Sequence, residues 1–242
     1  MTRTFTIVGT LALAASAALA QTSPQSAQKP GAAAKPGVHI AAKPTAIIHT
    51  TAGDLTCTLF PDKAPLGVAN FIGLATGKKD WKSPSGATKH GVPLYDGTIF
   101  HRVIPDFMIQ GGDPAGSGSG PDPVAPFKNE VSSDLLFDRP GRLAYANAGP
   151  DTNASQFFVT EVAFTGQQGA MLNGHYTIFG QCDEAAVELV KKIARMERDE
   201  RNDRPYRPVK ITHISIVRGT TAAAAKPSTP KPAPKAPAAS NP

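Results

Sequence analysis

Apolar positions between residues 46 and 218 recur with two different periods, and each period marks a different kind of element. Ile47 and Ile48 lead into Ala52-Gly53-Asp54, after which Leu55, Cys57 and Leu59 alternate with Thr56 and Thr58. That is period two around a turn, so residues 46–60 are predicted to form a β-hairpin with Cys57 facing the core. Pro65 then opens a predicted helix to about Thr76, with Val68, Phe71, Ile72 and Ala75 on one face and Gly77 to end it. Residues 77–97 are polar and turn-rich, with Trp81 as the only large anchor, and read as a long surface loop. Strand patterns return at 98–104 and 107–111, and again at 142–146, 156–160 and 177–181. Between them, 112–126 is mostly Gly, Pro, Ser and Asp and reads as a second long loop. Asp183 is placed to cap a helix to about Arg198 whose buried face is Ala186, Val187, Val190, Ile193 and Ala194. A last strand runs from Val209 to Val217. Short strands with two well-separated amphipathic helices, and no βαβ rhythm, predict a mostly β barrel with helices closing its ends.

The two ends of the chain do not share these periods. Residues 1–20 read as a secretory signal peptide: Arg3 is a short basic region, Phe5 to Ala20 is apolar or small, and Ala18-Leu19-Ala20 is a cleavage site before Gln21. The apolar run is shorter than the roughly 20 residues of a spanning helix, so a membrane anchor is the weaker reading. No Cys follows the cleavage site to carry a lipid. Residues 21–45 and 219–242 are rich in Ala, Pro and Lys, with almost no large apolar side chain. Such segments cannot offset an ordering entropy of roughly 1–2 kcal/mol per residue, and both read as disordered, a linker and a tail. The expected organisation is therefore a signal at 1–20, a linker at 21–45, one domain at 46–218 and a tail at 219–242. The product is expected to be an exported monomer, periplasmic or secreted.

Charge changes meaning once the ends are set apart. The formal charge is +6, with 25 Lys and Arg against 19 Asp and Glu. Seven of those 25 basic residues lie outside 46–218, which leaves 18 against all 19 acids, or −1 for the domain. The basic character belongs to the ends, which argues against a nucleic-acid-binding fold, since such a fold carries its positive charge on a folded face.

Several familiar chemistries fail on spacing. Gly111-Gly112 and Gly116-Ser117-Gly118-Ser119-Gly120 resemble a phosphate cradle, but no Gly-Lys-Ser/Thr and no helix start follow. Ser117 and Ser119 lack the flanking residues of a nucleophile elbow. The six histidines show no metal-ligand spacing, so neither metal nor cofactor is expected. Cys57 and Cys182, the only cysteines, are either bridged or two buried thiols.

What remains unexplained is a cation. Arg102 sits among Phe100, Val103, Ile104, Phe107, Met108 and Ile109, all of which favour burial. A guanidinium among such apolar neighbours needs either a structural acid or a ligand as partner. If Arg102 faces a cleft, the neighbouring His101 points to the opposite side of the same strand and is structural.

Phe100-His101-Arg102 through Gln110-Gly111-Gly112-Asp113, with Ala146-Asn147-Ala148-Gly149-Pro150 and Ser155-Gln156-Phe157-Phe158, resembles the two signature blocks of the cyclophilins, the peptidyl-prolyl cis-trans isomerases. The likeness extends from Leu59-Phe60-Pro61 to Thr177-Ile178-Phe179-Gly180 and covers nearly all of 46–218. It implies an eight-stranded antiparallel closed barrel capped by two α-helices. It also implies a catalytic arginine at Arg102 and a proline pocket from Phe107, Met108, Phe158 and Leu172. Gln110, Ala146, Asn147 and Gln156 would line the groove for the peptide backbone, with Tyr176 at the pocket's edge where best-studied members carry His. Met171 stands where they carry a Trp that matters for cyclosporin, a departure that bears on drug affinity rather than on catalysis. The substrates implied are proline-containing polypeptides, among them folding or mature proteins of the cell envelope. The rival readings are a non-catalytic proline-peptide-binding chaperone module and a barrel that merely presents its tails.

Overall fold

The first hairpin forms as the alternation requires. Strand β1 (Thr45–Thr50) returns through Thr51 and Ala52 into β2 (Gly53–Leu59), so the turn falls one residue earlier than expected and Gly53 already pairs with Thr50. The structure is a computed structural model and describes residues 43–218. The signal, most of the linker and the tail expected from the sequence lie outside the described residues. The remaining strands are β3 (Trp81–Lys82), β4 (Thr88–Lys89), β5 (Arg102–Ile104), β6 (Met108–Gly111), β7 (Arg142–Tyr145), β8 (Phe157–Thr160), β9 (Ile178–Cys182), β10 (Arg198–Asp199), β11 (Arg204–Pro205) and β12 (Ile211–Val217). The helices are α1 (Pro65–Ala75), α2 (Gly166–Leu172) and α3 (Glu184–Ala194).

Eight of these strands form one antiparallel sheet in the order β12-β1-β2-β9-β7-β8-β6-β5, and the sheet curls into the expected barrel. Its two edge strands do not pair with each other. The seam is closed by the segment before β5: Gly97 N donates to Ile211 O at 2.8 Å, Ile211 N to Thr98 O at 2.8 Å, and Phe100 N to Val209 O at 3.0 Å. This explains why the predicted strand 98–104 shrinks to Arg102–Ile104, since its first half is used across the seam.

The helices are the two expected ones plus α2, which the apolar pattern did not mark. Gly166 and Gly169 weaken its helical signal, since glycine is a poor helix former. Helix α3 begins at the predicted cap, where the Asp183 carboxylate accepts from Ala186 N at 2.8 Å, and it ends four residues short of Arg198 at Ala194. Helix α1 has no cap of its own. Its free Leu66 and Gly67 amides donate instead to the two carboxylate oxygens of Glu130, at 2.9 and 2.8 Å, from 64 and 63 residues away. The 77–97 segment also holds more than one anchor: Leu94 and Tyr95 are buried along with Trp81, and β3 and β4 pair within it.

The barrel wall has an apolar layer on each side because its strands alternate. Val103, Ile109, Leu143, Tyr145, Phe157 and Val159 point inward to join Ile48, Leu55 and Leu59. Met108, Ala144 and Phe158 point outward, where Phe137, Phe164, Leu172 and Ile178 cover them. The cysteines are bridged: Cys57 on β2 stands opposite Cys182 on β9, with their Cα atoms 3.8 Å apart.

Candidate active site

The register of four strands sets one row on the outer face of the wall. Arg102 lies opposite Gln110, Gln110 opposite Phe158, and Phe158 opposite Ala144. One cation, one amide and one aromatic ring are thereby aligned across the sheet. A cavity of about 520 Å³ opens over this row.

Its apolar side is built from outward residues. Met108 and Phe158 are buried on adjacent strands, and Leu172 at the end of α2 joins them. The Phe158 ring stacks on Phe137 at 5.8 Å and meets the Tyr176 ring edge-on at 5.6 Å, so it is held from two sides. Phe107 is held by its turn. Asp106, at φ 58°, donates its amide to Glu161 Oε2 at 2.9 Å, and the Glu161 amide donates to Phe107 O at 2.9 Å. Arg195 from the end of α3 bonds both Glu161 and Asp106 and clamps that turn.

The polar side is a chain of amides. Gln110 Nε2 donates to Gln156 Oε1 at 2.9 Å, and Gln156 Nε2 donates to Gly118 O at 3.2 Å. Asn147 Nδ2 donates to His175 O at 3.0 Å, and the Ala146 amide donates to Gln156 O at 3.0 Å. Gln156 belongs to an adjoining concavity of about 430 Å³ that shares Gln110, Ala146 and Asn147 with the first. All the site residues expected from the sequence therefore gather around one pair of connected hollows. They lie on the outside of the barrel, not in its interior.

Arg102 enters from the rim. Its side chain is 41% exposed, and Nε lies 3.4 Å from Asp203 Oδ2. Its two Nη groups donate no hydrogen bond among the described residues. The acid is thus a flanking partner at the surface, and the guanidinium is not locked within the wall.

Four features escaped the sequence reading. His101 does not point to the opposite face: β5 starts only at Arg102, and His101, buried at 4% exposure, lines the same cavity. Burial pushes its pKa below the usual histidine value, with Arg204 and Arg102 acting the same way and Asp113 opposing them. The glycine-serine loop supplies Ser117, Gly118 and Ser119 as a wall. Gly118 sits at φ 79°, and a Cβ there would come within 3.0 Å of the His101 ring. The buried Asp113 carboxylate organises this loop, accepting from the amides of Ala115, Ser117 and Gly118 at 2.9, 2.9 and 2.7 Å. Burial alone would raise its pKa, but those amides bring it below the usual carboxylate value. Finally, Asn202 and Arg204 reach the rim from the β10–β11 hairpin. An acid heading a Gly-Ser run was the legible sign of the loop; the hairpin left none.

Such a hollow offers an apolar slot for a small ring, fixed amides beside it and a cation overhead. The family model for the cyclophilin type peptidyl-prolyl cis-trans isomerase matches residues 45–216. The chain belongs to this family.

Among its relatives, peptidyl-prolyl cis-trans isomerase A of Mycobacterium tuberculosis is 48% identical over 157 residues, covering 63% of this chain and 83% of the relative. Peptidyl-prolyl cis-trans isomerase B of Streptomyces anulatus is 49% identical over 150 residues, covering 62% and 82%. A Cryptosporidium parvum cyclophilin crystal structure determined in the presence of the dipeptide Ala-Pro aligns with a TM-score of 0.59 at 33% identity, covering 72% of this chain and 99% of that one. This cyclophilin is thus a peptidyl-prolyl cis-trans isomerase. At the positions where it departs from the best-studied members, Met171 on α2 is 69% exposed and Tyr176 packs on Phe158.

Proposed function

We propose that Arg102 is the group through which this cyclophilin speeds rotation about Xaa-Pro bonds, and that its substrates are proteins of the cell envelope. The amide bond resists rotation by about 18–20 kcal/mol because its C–N bond is partly double. Rotation breaks that conjugation, and the proline nitrogen pyramidalises and regains its electron pair. A donor at that nitrogen bonds the twisted state better than either planar isomer, and only such differential binding accelerates the step. Arg102 suits the task because it is always charged and presents a planar fork, whereas lysine is more strongly hydrated and more mobile.

The observation that carries the reading is the position of that fork. The half-exposed guanidinium with uncommitted Nη groups stands in register with Gln110 and Phe158, over an apolar floor. Phe107, Met108, Phe158 and Leu172 take the proline ring, with Tyr176 as its outer wall. Gln110, Ala146, Asn147 and Gln156 take the backbone on either side. A charge-assisted hydrogen bond supplies roughly 1.5–3 kcal/mol. At about 1.4 kcal/mol per decade this accounts for one or two decades of rate. Water exclusion by the pocket and orientation by the amides supply the rest.

The envelope location is supported by the sequence of residues 1–20 and by the Cys57–Cys182 bridge, since disulfides persist in oxidising compartments. A proline-limited peptide assay tests the catalytic claim: Arg102→Ala lowers kcat/KM at least about tenfold, the kinetic equivalent of one lost charge-assisted bond. Undiminished activity in that variant overturns the assignment. Binding of proline peptides without faster cis-trans exchange by NMR would turn the reading to a binding module.

A further inference from the structure

Asp203 is the residue of the β10–β11 hairpin that meets Arg102, and its placement is over-determined. Its backbone is left-handed, at φ 58°, and is bonded on both sides. The Asp203 amide donates to Asp199 O at 2.8 Å, and Asp203 O accepts from Val103 N at 2.9 Å. Val103 follows Arg102 on β5, so a single main-chain bond ties the acid's backbone to the strand that carries the arginine. The carboxylate is 24% exposed and is shared: Oδ2 lies 3.4 Å from Arg102 Nε and Oδ1 lies 3.4 Å from Arg198 Nε. The hairpin is moored at a third point, where Arg204 Nη1 donates to Gly116 O on the loop across the cavity.

From this geometry we infer that Asp203 is a positioning residue for the isomerisation, holding the Nε edge of Arg102 so that its Nη edge faces the proline nitrogen. The inference rests on the proposed role of Arg102 and adds what aims it. A free arginine side chain has much rotamer freedom to lose, and a half-exposed one spends much of its time misdirected. An anion behind Nε restricts that freedom before substrate arrives. Asp203 flanks the Nε side of the guanidinium at 3.4 Å, which leaves for substrate the Nη pair, the part that reaches furthest. Arg198 on the other carboxylate oxygen keeps the acid from swinging into the cavity to compete with substrate.

The left-handed backbone decides which variants test this. Asn and Gly both tolerate positive φ, whereas Ala would strain the hairpin. Asp203→Asn removes the charge and Asp203→Gly removes the side chain, each with the backbone kept. In the proline-limited peptide assay both are expected to lower kcat roughly fivefold, the equivalent of about 1 kcal/mol for one half-exposed ion pair, with KM changed less than twofold. The same substitutions placed on Arg102→Ala are expected to change its residual rate less than twofold, because the acid acts only through the arginine. In ¹H–¹⁵N spectra the Arg102 Nε–H line is expected to broaden in Asp203→Asn while the Val103 amide stays protected from exchange, a pattern that general loosening of the hairpin does not give. Wild-type kcat in both variants overturns the inference and leaves the role of Arg102 standing. Equal losses with and without Arg102 overturn it in favour of a structural hairpin. A wild-type rate in Arg102→Ala alone removes both.

Discussion

His101 and Arg102 are neighbours in the chain, yet burial treats them oppositely. Arg102 keeps 41% of its side chain in solvent, whereas His101 is 4% exposed and neither ring nitrogen has a hydrogen-bond partner among the described residues. Desolvation therefore lowers the His101 pKa from its ordinary 6.5. The sign follows from proton counting: below pH 6.5 the unfolded chain binds a proton at this residue that the folded one refuses. Stability from His101 is complete above that pH and is lost as pH falls toward the folded value. The melting temperature of the wild type is expected to decline between pH 7.5 and pH 5 more steeply than that of His101→Gln; parallel curves for the two proteins contradict it. Asp113 is also lowered, so its contribution is present above its ordinary 3.8 and disappears only in more acid solution.

At the scale of elements, the protein relies on caps and clamps that come from elsewhere in the chain. Helix α1 carries no acid in its first turn, and Ala64 at its N-cap makes no side-chain bond, so Glu130 takes both jobs. Replacing a capping side chain by Ala costs about 1 kcal/mol, up to about 2. For a domain of this size 1 kcal/mol is about 2–4 °C of melting temperature. Glu130→Ala is expected to lower the midpoint by at least that amount, and Glu130→Gln by less because it keeps one acceptor; a thermal melt followed by circular dichroism measures both. The same helix is held from below by Asn70, whose Nδ2 donates to Tyr145 Oη at 3.0 Å and to Ala154 O at 2.7 Å while Oδ1 accepts from Lys79 at 2.6 Å. Burial lowers the pKa of that lysine. The site depends on similar borrowing: Phe107 is aimed by Glu161 and Arg195, and the cavity wall by Asp113.

Over the whole molecule, one short ladder between neighbouring strands is braced by a covalent bond. Strands β2 and β9 share a ladder of only three residue pairs, from Cys57 opposite Cys182 to Leu59 opposite Gly180. The disulfide stands at one end of that ladder and links residues 125 apart. The chain-entropy account gives about 5 kcal/mol for a loop of this length. Reduction, or Cys57→Ser with Cys182→Ser, is expected to lower the melting temperature by about 10–20 °C, at roughly 2–4 °C per kcal/mol. An unchanged midpoint under a strong reductant would show the bridge to be idle.

How much of this was legible depends on the range of the physics involved. Alternation at 55–59, the helical faces of α1 and α3 and the Asp183 cap are local, because a two- or 3.6-residue period is written into consecutive side chains. The residues of the hollow were legible too, since they lie in two nearly unbroken stretches that resemble a known family. Other features arise only when distant residues meet. Register put Arg102, Gln110 and Phe158 in one row on the outside of the wall, and the seam at 97–100 shortened a strand that its own pattern favours. Glu130 reached α1 across more than 60 residues, Cys57 found Cys182, and a hairpin with no apolar signal set Asp203 against Arg102. Periodicity reports which way a side chain faces along its own element. Which partner it finds depends on chain closure over many residues, and no local pattern encodes that.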